Sequence, residues 1–139
     1  MDQVVVDASV VVKWYIPEKH HEQARNLRND FLEGTCELLA PALMPFEAVN
    51  ALKYSGQYDG ERLEEAADSL GMYGIELVPF RSGGPIAAIT TAAEVTAYDA
   101  AYIALAVDRR ATAFTADSKL LAELEGTEYE EAVDHVRSY

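Results

Sequence analysis

Four carboxylates in this sequence stand where a carboxylate is costly. Val4-Val5-Val6 stops abruptly at Asp7-Ala8-Ser9, and Ala111-Thr112-Ala113-Phe114-Thr115 runs likewise into Ala116-Asp117-Ser118. Each stretch reads as a short buried strand that ends in a polar turn. A buried charge is tolerated when it is paired or bound to a cation. Asp7 and Asp117 are therefore expected at the carboxyl edge of a sheet, where open α/β folds bind their ligands. For Asp7 the simpler alternative is a cap on the following helix. Glu47, in Pro45-Phe46-Glu47-Ala48-Val49-Asn50, has apolar neighbours on its helix face except Asn50 at i+3. Asp99, in Thr96-Ala97-Tyr98-Asp99-Ala100-Ala101-Tyr102, could equally complement a helix dipole.

If the four converge, like charges meet. At an effective dielectric of ~20, two of them 4 Å apart repel by about 4 kcal/mol. Protons or cations must then offset the repulsion. Oxygen donors with no Cys or His among them select Mg²⁺ or Mn²⁺ over zinc. His20, His21 and His135 lie on polar segments and read as surface residues, not ligands.

The elements that must position these acids alternate between strand and helix. Val4–Val6 is the first strand, and Ala8–Tyr15 forms a short helix that ends before Pro17. Helical spacing runs from His20 to Leu32, stopped by Gly34. Glu37–Ala40 is a second strand. A third helix runs from Ala42 to about Tyr54 and turns Phe46, Val49 and Leu52 inward. Arg62–Met72 is helical, Ile75–Phe80 a strand, and Ser82–Pro85 a loop before a helix from Ile86 to about Val95. Tyr98–Asp108 and Ser118–Leu124 are helices, with the Ala111–Thr115 strand between them. Tyr129–Val136 would add an edge strand. This alternation predicts an α/β three-layer sandwich, with a small, mostly parallel central sheet and helices on both faces.

The chain has 139 residues, which suits one domain over residues 1–139. No apolar run approaches the ~18 residues that cross a bilayer. Met1-Asp2-Gln3 lacks the basic start of a secretory signal. The single cysteine, Cys36, cannot form an internal disulfide. A cytoplasmic protein is expected. The formal net charge of -13 argues against broad, non-specific nucleic-acid binding, which needs a positive face. It suits solubility, a cation-holding cluster or a basic partner chain. Glu61, Glu64 and Glu65 read as a solvated helix face, and the acids from Glu123 to Glu131 as solvated helix and tail.

Val-Val-Asp-Ala-Ser, Pro-Phe-Glu-Ala-Val-Asn-Ala-Leu, Tyr-Asp-Ala-Ala-Tyr-Ile-Ala-Leu-Ala and Phe-Thr-Ala-Asp-Ser-Lys-Leu occur here in that order and with suitable gaps. Together they resemble the PIN-domain family, and within it the VapC-type toxin ribonucleases of toxin–antitoxin pairs. The resemblance covers nearly the whole chain. It implies a small parallel sheet between helices and a catalytic set of Asp7, Glu47, Asp99 and Asp117. Asp7, Asp99 and Asp117 would hold one or two Mg²⁺ or Mn²⁺ ions. Polar accessory positions fall on Ser9, Asn50, Thr115 and Ser118.

The implied reaction is metal-dependent endonucleolytic cleavage of RNA, leaving a 5′-phosphate and a 3′-hydroxyl. Lys13, Tyr15 and Lys119 are the candidate RNA contacts, whereas Trp14 fits the core. Arg109-Arg110 ends a helix, where the dipole alone favours it. The implied partners are RNA, a small antitoxin with a basic segment and a second copy in a homodimer. Two other classes remain open. One is a catalytically silent PIN fold that only docks a partner. The other is a phosphoacceptor receiver domain, which would want adjacent acids after the first strand, whereas Asp7 stands alone. No Gly-x-Gly-x-x-Gly follows a strand, against a dinucleotide-binding domain.

Overall fold

β1 (Asp2–Val6) takes the middle of the sheet because its apolar end is buried on both sides. Val4, Val5 and Val6 are all buried. Beside it run β2 (Cys36–Pro41), β3 (Glu76–Val78), β4 (Thr112–Thr115) and β5 (Val133–His135). The computed structural model, which describes residues 2–139, joins them in the order β3-β2-β1-β4-β5, with every neighbouring pair parallel. The expected sheet is thus parallel throughout.

Seven helices make the connections: α1 (Ala8–Val11), α2 (His21–Leu32), α3 (Met44–Tyr54), α4 (Gly60–Met72), α5 (Gly83–Ala93), α6 (Ala97–Arg109) and α7 (Ser118–Leu124). Right-handed crossovers place the links running from β1 out to β3 on one face and the return from β3 to β4 on the other. Accordingly α1 and α2 meet the sheet on one side, with α3 against α1 and α4 against α3. On the other side α6 lies along β1, β2 and β4, with α5 packed on it. The connections change direction at β1. The crevice between the carboxyl ends of β1 and β4 is therefore the topological switch point of the sheet.

Several local expectations change. The Ala8–Tyr15 helix is one α-turn followed by a 3-10 turn, Val12–Trp14, and this buries Trp14 with its indole N–H donating to the Ala24 carbonyl at 2.9 Å. In α3 the buried row is Met44, Ala48 and Leu52, at i, i+4 and i+8. Phe46 is 78% exposed rather than inward. Helix α5 begins at Gly83 instead of Ile86, because Pro85 is well placed in a first turn, where no intrahelical N–H bond is needed. The last strand shrinks to three residues between 3-10 turns.

His135 is a further correction. Strand alternation turns Val133 and His135 inward and leaves Asp134 outside, so this histidine is buried rather than on the surface. Lys13 is buried too. Its ammonium is fixed by the Lys19 carbonyl at 2.7 Å and the Glu18 carboxylate at 3.1 Å, which removes it from the candidate RNA contacts.

Candidate active site

Asp7 follows β1 directly, and the chain turns into α1 on its main-chain carbonyl, which accepts from the Val10 and Val11 amides. Its side chain does not cap that helix. Asp7 Oδ2 instead accepts from the Ser9 hydroxyl at 2.5 Å and the Thr115 hydroxyl at 2.9 Å. Each hydroxyl also accepts a main-chain amide from the turn after β4: Ala116 N–H to Ser9 Oγ at 2.9 Å and Asp117 N–H to Thr115 Oγ1 at 3.1 Å. A hydroxyl has a single proton. With their lone pairs receiving amides, both protons point at Asp7, which is thereby held as an acceptor.

Asp117 begins α7 and caps it, Oδ1 accepting from the Lys119 and Leu120 amides at 3.0 and 3.2 Å. Asp99 sits in the first turn of α6, where the Thr96 hydroxyl accepts its amide at 3.1 Å. The Glu47 carboxylate accepts from the buried Tyr102 hydroxyl at 2.5 Å. Tyr102 was not among the candidates, although its place three residues after Asp99 puts it on the same face of α6.

The acids act on one another through charge. Burial is the chief cause that raises the Asp7 carboxyl above its ordinary range, opposed by its two hydroxyl donors and reinforced by Asp99. Burial also raises Glu47, opposed by Tyr102 and reinforced by Asp7 and Asp99. Asp99 is raised by burial first and then by Asp117, with the Thr96 hydroxyl acting the other way. The Tyr102 phenol is raised by burial and by Asp7 and Glu47, so it stays a donor. Asp7, Glu47 and Asp99 thus feel one another's charge and Asp99 that of Asp117, and among the described residues none of the four makes an ion pair.

The donor set suits a hard divalent cation, being all oxygen and uncompensated. Its geometry is not drawn tight: among the described residues no three acidic, His or Cys side chains are close enough to share an ion. Hydrogen bonds occupy one oxygen each of Glu47 and Asp117 and leave the other without a protein donor.

The accessory positions divide. Ser9 and Thr115 hold Asp7. Asn50 is exposed on α3 and lines an open cleft with Pro45, Phe46, Glu47 and Val49. Ser118 is exposed at the start of α7. Lys119 is exposed beside Asp117, but the Tyr15 hydroxyl is bonded to Ser69 at 2.7 Å and its ring meets Tyr58 edge-on. Tyr15 is packing, not a free stacking face.

A parallel sheet of this order, with Asp7 and Asp117 just beyond the ends of β1 and β4, describes a family, and the sequence carries that family's signature: the chain matches the PIN domain model over residues 4–126 and belongs to the PIN domain family. PIN domains are generally nucleases. Two solved structures share the fold. One is PAE2754 from Pyrobaculum aerophilum, with a TM-score of 0.66 at 19% identity, covering 99% of this chain and 91% of that one. The other is FitAcB from Neisseria gonorrhoeae, with a TM-score of 0.65 at 18% identity, covering 96% of this chain and 97% of that one. No protein of curated function matches the sequence.

Proposed function

We propose that this protein is a Mg²⁺- or Mn²⁺-dependent endoribonuclease that hydrolyses phosphodiester bonds at Asp7, Glu47, Asp99 and Asp117. The observation that supports it most is a set of acids without ion pairs in a PIN domain, of which Asp7, Glu47 and Asp99 repel one another and Asp117 repels Asp99. When bound, the ion would supply an acidic water for in-line attack at phosphorus and offset charge on the leaving oxygen. Asp7, Asp99 and Asp117 would hold it, drawn together from the wider spacing they have without an ion. The Ser9 and Thr115 hydroxyls fix the direction of Asp7. Glu47, with one oxygen on Tyr102, keeps the other to orient the attacking water. Lys119 would meet the substrate beside Asp117.

The acidic surface suits a small antitoxin with a basic segment, through charge complementarity, in a type II toxin–antitoxin pair. Exposed Tyr54 and Met72, on α3 and α4, offer apolar surface for a homodimer. A reducing cytoplasm suits the free, buried Cys36.

A defined RNA incubated with Mg²⁺ or Mn²⁺, with EDTA, and with the Asp99→Asn protein tests the reaction. Cleavage should require both the ion and Asp99. Equal cleavage by Asp99→Asn removes the assignment. A protein that binds a basic peptide yet never turns over would instead be a docking module.

A further inference from the structure

We propose that a basic rim beside the acids, formed by Lys19, His20 and Arg137 and backed by the buried His135, binds a backbone phosphate of the RNA strand. The inference rests on the ribonuclease reading and answers the question that reading raises: how a chain with net charge -13 holds a polyanion at all.

Most of the chain's cations are engaged elsewhere or scattered. Lys53 pairs with Asp59, Arg109 with Glu76, and Arg62 lies over the Tyr58 ring. One group collects instead. The His20 and His135 rings meet edge-on with centroids 5.2 Å apart. Buried Lys13 ties down the Lys19 carbonyl, and Glu18, the acid of this segment, is held on the Lys13 ammonium. Lys19 and Arg137 are exposed, and neither makes an ion pair among the described residues.

The rim is also pre-shaped. His135 Nδ1 accepts the Arg137 amide at 3.0 Å, so the buried ring seats Arg137 at the end of β5. His20, with φ of 68°, is the residue on which the chain turns into α2, so its place is fixed by the backbone. Lys19, Lys13 and Arg137 together depress the His20 imidazole, after burial, so their fields overlap at that ring.

Placement relates the rim to the acids. His135 is in register with Thr115, which donates to Asp7. Neighbouring strands lie about 4.8 Å apart. The rim therefore sits one strand along the same edge of the sheet, on the β5 side of Asp117. A strand crossing the four acids toward β5 passes over it. Lys19 and Arg137 supply the charge there, with the His20 ring beside them.

The test measures binding of a fluorescent single-stranded oligoribonucleotide with Mg²⁺ present, on Asp99→Asn protein to prevent cleavage. Adding Lys19→Ala and Arg137→Ala should weaken binding about tenfold or more at low salt. It should also flatten the plot of log K against log salt by roughly 0.7 for each phosphate no longer neutralised. Arg110→Asn, which removes one charge at the opposite end of β4, should do neither. Unchanged affinity and slope in the double variant overturn the phosphate site, as does equal weakening by Arg110→Asn. If Asp99→Asn binds no oligonucleotide while the wild type cleaves it, the phosphate site alone is refuted. If the wild type neither binds nor cleaves, the ribonuclease reading falls as well.

Discussion

Replacing Asp7 by Asn should make the metal-free protein more stable, although Asp7 is among the best hydrogen-bonded side chains in the crevice. Asn keeps one carbonyl oxygen, which can accept from both Ser9 and Thr115 as Oδ2 does now. Exchanging charged for neutral acceptors weakens each bond by about 1 kcal/mol. Against this, the charge facing Glu47 and Asp99 disappears. At an effective dielectric of ~20, like charges 6 Å apart repel by about 3 kcal/mol each. The wild type escapes part of that by taking up protons, leaving a net gain of about 1–2 kcal/mol for the variant. In a chain of this length that raises Tm by about 3–8 °C in EDTA.

The sign follows from linkage. The folded Asp7 carboxyl is raised above its unfolded value of 3.8, so between those two values the folded state binds more protons. Stability from this group is then fully present at low pH and is lost as pH rises through the raised value. The variant's advantage should therefore fade on acidification. A divalent ion at a hundred times its Kd would stabilise the wild type by about 2.7 kcal/mol, or roughly 8–10 °C, and should scarcely move the variant. Thermal unfolding by circular dichroism at several pH values, with EDTA or Mg²⁺, reads both effects. An Asp7→Asn protein that melts below the wild type in EDTA and keeps the full Mg²⁺ shift would refute the reasoning.

Tyr102→Phe removes the donor that lowers the Glu47 carboxyl, so the acidic limb of the cleavage rate should move to higher pH, a shift seen in a pH–rate profile. Trp14→Phe leaves the Ala24 carbonyl without its indole partner and should cost about 1–3 kcal/mol in denaturant titration, with cleavage per folded molecule unchanged. Phe46→Ser should alter stability by no more than about 0.5 kcal/mol, as for other exposed positions. An inward Phe46 would lose ~3 kcal/mol or more in the same titration.

Much of the fold was legible because its signals are local. An apolar run that halts at an acid shows both the strand and its end, and this holds for β1 and β4 alike. What escaped depends on which of two local rows the tertiary structure buries. Phe46, Val49 and Leu52 make one plausible row on α3; Met44, Ala48 and Leu52 make the other, and packing against α1 selects the second. His135 could have been found, since its alternation with Asp134 and Val133 places it inward. Lys13 could not, because its burial relies on Glu18 and the Lys19 carbonyl in a turn without periodicity. The candidate acids could be picked out one at a time, but the Tyr102–Glu47 bond spans 55 residues between α6 and α3 and leaves no mark in either segment.

The middle of the sheet is completed by a latecomer. β1 is made before the other four strands, yet one of its two edges waits for β4, whose residues leave the ribosome more than a hundred positions later. Until then the Ser9 hydroxyl lacks the Ala116 amide and Asp7 lacks the Thr115 hydroxyl. A nascent chain therefore carries its acids apart and disarmed, and the crevice assembles only once β4 has emerged. On the proposed ribonuclease function, this order of manufacture shields the very message from which the chain is being read.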